Sequence, residues 1–301
     1  MAENTVKKIA TRESYGNSLK ELAEEFPNLV VLDADLAAAT KTGIFRKAYP
    51  DRHIDCGIAE SNMMGVAAGL SLVGKIPFVS SFAMFAAGRA FEQVRNSIGY
   101  PHLNVKIGAT HAGITVGEDG ATHQCNEDIA LMRTIPGMVV MCPSDDVEAR
   151  AAVRAALEYE GPVYIRFGRA AVPVINDHPG YHFEIGKGTV VREGKDVTIV
   201  ATGICVDSAL GAAKMLEEEG ISAEVLDLRT LVPLDWDAIV KSVSKTHNVI
   251  VLSEEVKRGS YAAEISAQIA EELFDELDAP VERVCGLNIV SPFSPTSVSY
   301  T

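Results

Sequence analysis

Residues 107–125, Ile-Gly-Ala-Thr-His-Ala-Gly-Ile-Thr-Val-Gly-Glu-Asp-Gly-Ala-Thr-His-Gln-Cys, form a polar stretch with no helix or strand periodicity. It contains two histidines, two acids and four glycines, and it follows the strand-like run at 102–107. Polar groups at the end of a parallel strand lie where open α/β sheets bind their ligands. The stretch therefore predicts an α/β fold with a site at a strand end. A polar surface loop is the alternative, because glycines beside acids are ordinary turn residues.

A second stretch, Asp55 to Leu70, has the pattern of a turn that enters a tightly packed helix. Asp-Cys-Gly-Ile-Ala-Glu-Ser-Asn-Met-Met is followed by the small-residue run Gly-Val-Ala-Ala-Gly-Leu. Glu60 is predicted in the first helical turn, where the helix dipole favours a negative charge. Such a glutamate can also be a simple helix cap.

A third stretch, 79–96, contains Phe82 and Phe85 ahead of Arg-Ala-Phe-Glu-Gln-Val-Arg. Two aromatic residues three apart lie on one face of a helix, so they can line a site or belong to the core.

Taken in order, Gly-Ile-Ala-Glu, Phe-x-x-Phe before Arg-Ala-Phe-Glu-Gln-Val-Arg, and Gly-x-x-x-Gly-Glu-Asp-Gly-x-Thr-His resemble the pyrimidine-binding half of transketolases. The resemblance implies thiamine diphosphate as cofactor, with Glu60 engaging N1′ of its pyrimidine ring so that the 4′-amino group can deprotonate the thiazolium carbon. An apolar pocket favours the protonated carboxyl that donates to N1′. Phe82 and Phe85 would stack on the aminopyrimidine, and the family's third aromatic position falls on Gly88.

The same resemblance assigns substrate contacts to the polar stretch. His111, with a catalytic role, and His123 would line the substrate channel, since imidazoles donate to developing alkoxides and exchange protons near neutral pH. Asp119 would act as a buried carboxylate that reads the hydroxyl beside the donor carbonyl. Ordinary loop residues are the alternative for all three.

Other assignments depend on the resemblance alone. Arg12 and Arg169 align with arginines that hold the acceptor's terminal phosphate, a group that suits a guanidinium fork. Arg166 competes with Arg169 for that role. Asp35 matches an acid near the cofactor, although an acid in a turn after a strand is equally ordinary. Where transketolases carry serine near the phosphate, this chain has Ala37–Thr40, which leaves the acceptor's anionic group open.

One element of the family is not found in the sequence. No Gly-Asp-Gly is followed downstream by the asparagine of the magnesium-diphosphate motif. A divalent ion with oxygen ligands normally bridges the cofactor phosphates to the protein, so no metal ligand is assigned to this chain. The resemblance thus implies the small subunit of a split transketolase. Its partner is expected to be a diphosphate-binding subunit that holds Mg²⁺ or Ca²⁺, in a heterotetramer of two plus two.

Composition agrees with an enzyme of this class. The net charge of −14 argues against nucleic-acid or anionic-membrane binding, and the substrate is expected to be a sugar or sugar phosphate. No apolar run approaches the ~20 residues of a membrane span, and residues 1–8 lack an apolar signal core, so the cytoplasm is the expected location. The five cysteines include no Cys-x-x-Cys pair and are expected to be reduced.

Helix and strand signals alternate along the chain, which predicts a doubly wound parallel-sheet α/β domain followed by a smaller α/β domain. The predicted boundaries are 1–171 for the pyrimidine-binding domain, 172–184 for a turn-rich linker and 185–301 for a transketolase-type C-terminal domain whose role is assembly. Helices are predicted at 14–25, 61–72, 89–98, 145–157, 206–219 and 262–273, and strands at 29–32, 78–80, 105–108, 139–142, 163–165, 223–228 and 249–253.

Three other interpretations remain open at this point. The β subunit of a 2-oxoacid dehydrogenase would share the Glu60 chemistry and the two-chain organisation. Deoxyxylulose-phosphate synthase keeps a similar Gly-x-Asp-Gly-x-Thr-His core but lacks a histidine at the position of His111. A non-catalytic scaffold with a degenerate cofactor fold is the third. The ending from Ser291 to Thr296 lacks the Gly-rich turn and final helix expected of transketolases.

Overall fold

The computed structural model describes residues 7–291. Outside this range lie residues 1–6, which are part of the segment expected to lack a signal core, and the atypical ending after Ser291. The strands are β1 (Lys8–Ala10), β2 (Leu29–Asp33), β3 (His53–Asp55), β4 (Ile76–Phe82), β5 (Lys106–Thr110), β6 (Val139–Met141), β7 (Val163–Arg166), β8 (Ala171–Pro173), β9 (Thr189–Arg192), β10 (Val197–Ala201), β11 (Ala223–Asp227), β12 (Thr230–Val232), β13 (Val249–Val256) and β14 (Glu282–Gly286).

Helices connect most of these strands. They are α1 (Thr11–Leu22), α2 (Ala37–Thr40), α3 (Gly43–Ala48), α4 (Glu60–Leu72), α5 (Phe91–Gln93), α6 (Asp128–Arg133), α7 (Asp146–Glu158), α8 (Cys205–Glu218), α9 (Trp236–Thr246) and α10 (Tyr261–Glu272). Two π-helical segments cover Met84–Arg89 and Val94–Gly99, and 3₁₀ turns cover Pro50–Arg52, Ile114–Val116 and Phe274–Glu276.

The first sheet has the order β12-β6-β7-β5-β4-β2-β3 within residues 7–291, and all of its strands except β12 are parallel. Its inner strands are buried on both faces, as parallel strands between helical layers must be, whereas the edge strand β3 is partly exposed. One face packs against α1, α3 and α7, and the other against α4, α6 and the π-helical segments. The predicted doubly wound parallel sheet is therefore confirmed.

The second sheet is smaller and has the order β14-β13-β10-β11-β9, with only β9 antiparallel to its neighbour in the described residues. Helix α8 covers one face, and α9 and α10 cover the other. This matches the predicted smaller α/β domain. Helix α9 was not predicted, although Asp235 caps it by accepting a hydrogen bond from the amide of Ala238.

The two sheets share one hydrophobic core. Val140 and Tyr164 of the first sheet and Val200, Leu226 and Val251 of the second belong to the same buried cluster. In addition, β12 leaves the second domain and pairs antiparallel with β6 of the first sheet. Strand β8, at the start of the predicted linker, pairs with β1. The domain boundaries stay a prediction, but the chain crosses between the sheets more than once.

The predicted helix at 89–98 is wrong in type and extent. Met84–Arg89 and Val94–Gly99 are π-helical, with α5 between them. A π-turn inserts one extra residue per turn and often marks a functional site. Side-chain periodicity over so short a segment could not distinguish it from an α-helix. Among residues 7–291, no helix is long and apolar enough to cross a membrane.

Candidate active site

The predicted site residues gather at the edge of the first sheet where the parallel strands end. Phe82 closes β4, His111 follows β5 directly, and Arg169 comes shortly after β7. Glu60 begins α4, which leads back from the edge strand β3 into β4. Parallel strands bring their carboxyl ends to one edge, so segments distant in sequence meet there.

Glu60 is almost completely buried, with 1 % of its side chain exposed. Its Oε2 accepts a hydrogen bond from Nη1 of Arg89 at 2.7 Å, and its Oε1 accepts one from Ser81 Oγ at 3.3 Å. The position at the first residue of α4 agrees with the predicted helix start. A buried carboxylate needs such partners, because an unpaired charge in a low-dielectric interior is costly.

Four rings lie together near Arg89, the partner of this carboxylate. The rings of Phe82 and Phe85 are 6.1 Å apart and nearly parallel, with an interplanar angle of 18°. His111 stacks on Phe82 at 3.9 Å, and His123 meets Phe85 edge-on at 5.2 Å. Flat apolar faces next to a buried acid suit a planar heterocycle with a basic nitrogen, so these residues fit the aminopyrimidine of thiamine diphosphate.

Met84 explains the missing third aromatic side chain. A Cβ atom at Gly88 would overlap the terminal methyl group of Met84. The flexible thioether therefore fills the space in front of residue 88, as methionine does in irregular gaps. A side chain at residue 88 would therefore require Met84 to move.

His111 is held in one tautomer. Arg12 donates from Nη1 to Nε2 of His111 at 3.0 Å, and a guanidinium can only donate. The proton therefore resides on Nδ1, which donates to Thr110 Oγ1 at 2.9 Å. Burial, followed by the charges of Arg12 and Arg169, lowers the pKa of His111 to about 3. The imidazole is neutral at physiological pH and sits in a positive φ conformation of 55°.

Positive charge is concentrated near His111 although the whole protein is acidic. Arg12 also donates to the carbonyl of Ala39 at 3.0 Å, and its buried Nε has no partner among residues 7–291. Arg169 donates to the carbonyl of Val116 at 2.7 Å. Lys41, a residue that the sequence analysis missed, lies close enough for its charge to lower the pKa of His111, after burial and the arginines. Arg169 also forms a partly exposed salt bridge with Glu118, at 3.8 Å. Cations grouped in this way favour an anionic ligand.

Arg166 is not available for that role. It is buried, its Nε donates to both carboxylate oxygens of Asp128, and its Nη1 donates to Glu254 at 2.6 Å. Arg169, in contrast, has a side chain that is 35 % exposed, and its role in holding the phosphate stays a prediction.

Asp119 and Asp35 are placed differently from the other candidates. Asp119 is exposed and not buried as expected, although its charge raises the pKa of Arg12 against the stronger effects of burial and Arg169. Asp35 is exposed, with a φ of 60°, and its side chain forms no hydrogen bond within residues 7–291. The buried acid of that turn is Asp33, which accepts from Thr40 Oγ1 at 3.0 Å and Thr42 Oγ1 at 2.6 Å. Within residues 7–291, no group of three or more His, Cys, Asp or Glu side chains could hold a metal ion.

The architecture is that of a doubly wound α/β domain, with a buried acid at a helix start and a cluster of aromatic rings at the same edge of the sheet. Comparisons with known families make the class specific. Residues 7–174 match the transketolase pyrimidine-binding domain, and residues 186–300 match the transketolase C-terminal domain. The chain belongs to the transketolase family, as its sequence motifs predicted.

Individual relatives agree with this membership. A Methanocaldococcus jannaschii protein named as a transketolase C-terminal section is 53% identical over 77% of this chain and 73% of its own length. A 6-deoxy-6-sulfo-D-fructose transketolase subunit from Clostridium sp. is 43% identical over 91% of this chain and 83% of its own length. A solved structure described as a split gene transketolase, inactive beta4 tetramer, superposes with a TM-score of 0.85 at 53% identity, covering 95% of this chain and 91% of that chain.

Proposed function

We propose that this chain is the pyrimidine-activating subunit of a split, thiamine-diphosphate-dependent transketolase that moves a two-carbon ketol unit from a ketose to an aldose. The observation that carries the proposal is the buried Glu60 carboxylate at the start of α4, whose partner Arg89 also lies over the ring of Phe85, a ring nearly parallel to that of Phe82. When bound, thiamine diphosphate would supply carbanion chemistry at its thiazolium carbon. Glu60 binds N1′ of the pyrimidine and shares a proton with it, while Phe82 and Phe85 hold the ring.

His111 and His123 act on the oxygens at the reacting carbon. His111 is neutral, and its Nδ1 proton is donated to Thr110. The other ring nitrogen, Nε2, carries no proton and accepts a hydrogen bond from Arg12. Release of Nε2 from Arg12 would let this nitrogen take a proton from a substrate hydroxyl. Asp119 accepts a hydrogen bond from the hydroxyl next to the donor carbonyl once a partner surface covers the loop.

The cations indicate the substrate class. Arg12 and Arg169, with Lys41 near them, bind a terminal anionic group of the sugar, because a guanidinium matches tetrahedral oxyanions. The names of two relatives point the same way: one is a 6-deoxy-6-sulfo-D-fructose transketolase subunit, and another, from Phocaeicola vulgatus, is an apulose-4-phosphate transketolase subunit. The substrate is thus a phosphorylated or sulfonated sugar.

A second subunit completes the site. The 301 residues contain no magnesium-diphosphate motif, and the solved split-gene relative is described as an inactive tetramer of β chains. We infer a diphosphate-binding transketolase subunit that holds Mg²⁺ or Ca²⁺, in a heterotetramer of two plus two. The five free thiols fit a reducing, cytoplasmic setting for this complex.

Titration calorimetry with thiamine diphosphate and Mg²⁺ tests whether a partner subunit is needed for tight cofactor binding. The lone chain should bind the cofactor weakly, and a mixture with the separately expressed diphosphate-binding subunit should bind it tightly and transfer ketol units. Tight, magnesium-dependent binding by the lone chain would contradict the split-subunit assignment.

A further inference from the structure

Glu254 belongs to the second domain but places its carboxylate in the first. It lies on β13 and is 7 % exposed. Its Oε1 accepts a hydrogen bond from Nη1 of Arg166 at 2.6 Å, and its Oε2 accepts one from Thr115 Oγ1 at 3.0 Å. Both donors are residues of the first domain, and Thr115 lies within the polar stretch that carries the candidate substrate contacts.

The polar stretch is shaped to receive this carboxylate. A Cβ atom at Gly113 would overlap the carboxylate of Glu254, so the absence of a side chain there lets the two segments touch. Gly113 also has a φ of 77°, which a glycine adopts without strain. Its amide donates to the carbonyl of Cys125 at 2.7 Å and closes the base of the 111–125 loop.

Arg166, which donates to Glu254, is also held by a second buried carboxylate. Its Nε donates to the carboxylate of Asp128, at the start of α6 immediately beyond the loop, at 3.0 and 3.2 Å. A guanidinium between two buried carboxylates has a defined orientation, since its donors are coplanar. Glu254 therefore contacts Gly113 and Thr115 within the loop and is linked through Arg166 to Asp128, just after the loop.

We propose that Glu254 is a positioning residue, by which the C-terminal domain holds the 111–125 loop in the geometry that its substrate-contacting residues need. The loop carries His111 at its start and Asp119 and His123 further along. A buried, charge-assisted contact at 115 and a backbone contact at 113 limit where these residues can lie. The consequence for catalysis rests on the proposed transketolase function, whereas the consequence for the loop itself does not.

Hydrogen exchange of the lone chain tests the loop directly. In Glu254→Ala, peptides that cover 111–125 should exchange faster than in the parent, while peptides from β2 and β4 should be unchanged. Thr115→Val removes a single hydrogen bond and should give a smaller increase in the same peptides. The matched control is Ile199→Ala, which removes a buried side chain from a core cluster of the second domain that lies away from the loop's contacts with Glu254. In this variant, the ratio of the exchange rate of the 111–125 peptides to that of the β2 and β4 peptides should equal the parent ratio.

The reconstituted complex provides the second readout. Glu254→Ala should lower kcat/KM for the ketose on the order of tenfold to a hundredfold, as small misplacements of contacting groups do. Cofactor affinity should fall less than kcat/KM, because the partners of Glu60, Ser81 and Arg89, lie outside the loop, although His111 and His123 pack against Phe82 and Phe85. If loop exchange and kcat/KM in Glu254→Ala and Thr115→Val match the Ile199→Ala control, the proposal is wrong. If the parent complex transfers no ketol unit, the proposed function fails, and the exchange data still decide whether Glu254 holds the loop.

Discussion

Glu60 and Arg89 form a salt bridge at the candidate cofactor site, with 2.7 Å between Oε2 and Nη1. The glutamate is 1% exposed and the arginine 48%. The guanidinium carbon also lies 4.4 Å from the centre of the Phe85 ring. Arg89 thus contacts two of the three residues assigned to the aminopyrimidine, so the proposed function requires its side chain to move when the cofactor binds.

This relationship predicts the outcome of a double-mutant cycle in the lone chain. Arg89→Met should lower the free energy of unfolding by roughly 1–3 kcal/mol, because it leaves a buried carboxylate without its cation; the half-exposed arginine keeps the loss moderate. Adding Glu60→Gln should restore most of the loss. Urea denaturation of the four proteins measures the coupling, and additive effects would mean that the pair is not formed.

Much of the site was predictable because each of its motifs is local, although the motifs lie far apart in the sequence. The helix start at Glu60 and the position of His111 after β5 follow from helix-capping and strand patterns over a few residues, whereas Phe82 was expected on a helical face and instead closes β4. The ion-pair network of Arg166 was not predictable, since its carboxylate partners are 38 and 88 residues away. Only the packing of the two domains reveals that this arginine is committed.

Other features depend on three-dimensional space that local sequence does not encode. Met84 fills the volume in front of Gly88 because its side chain adopts one particular conformation. The spacing of residues in the sequence does not specify that conformation. Strand β12 joins the first sheet although the surrounding sequence belongs to the second domain. The exposure of Asp119 also differs from the expected burial.

His111 should remain neutral throughout the physiological pH range. Burial, then Arg12 and Arg169, lowers its pKa to about 3. Its imidazole resonances should not shift between about pH 5 and pH 8, where an unperturbed histidine titrates. Arg12→Met removes the nearest cation and should raise the pKa of His111, with burial keeping it below the ordinary value. A parent midpoint near the ordinary value in an NMR titration would contradict the buried, Arg12-bound geometry.

Glu255 should make the lone chain less stable as pH rises. Burial, with a smaller contribution from Asp128, raises its pKa to about 8 from an ordinary 4.5. The folded chain therefore retains a proton that the unfolded chain has lost, and stability falls between these two values by up to about 1.4 kcal/mol per pH unit. Glu255→Gln should flatten this part of the curve in urea denaturation and be more stable than the parent above about pH 8. Parallel pH profiles for the two proteins would show that Glu255 is ionised in the fold.

Asp119→Ala should separate two kinds of ketol donor in the reconstituted complex. Donors with the correctly configured hydroxyl beside the carbonyl should lose on the order of tenfold in kcat/KM, the value of one hydrogen bond to a charged acceptor. Donors without that hydroxyl should be nearly unaffected, since they make no such contact. Asp119→Asn, which keeps an acceptor oxygen, should fall between the two. An equal loss for both donor classes would assign Asp119 a structural role.

The central claim is that Glu60 activates the cofactor that a partner subunit helps to hold. The most direct measurement is ketol transfer by the complex assembled with Glu60→Gln, with cofactor affinity determined on the same sample. An amide can hydrogen-bond to N1′ but cannot share a proton, so kcat should fall by at least about 10²–10⁴-fold while thiamine diphosphate still binds with affinity close to that of the parent complex. Turnover by Glu60→Gln at the parent rate would contradict the account.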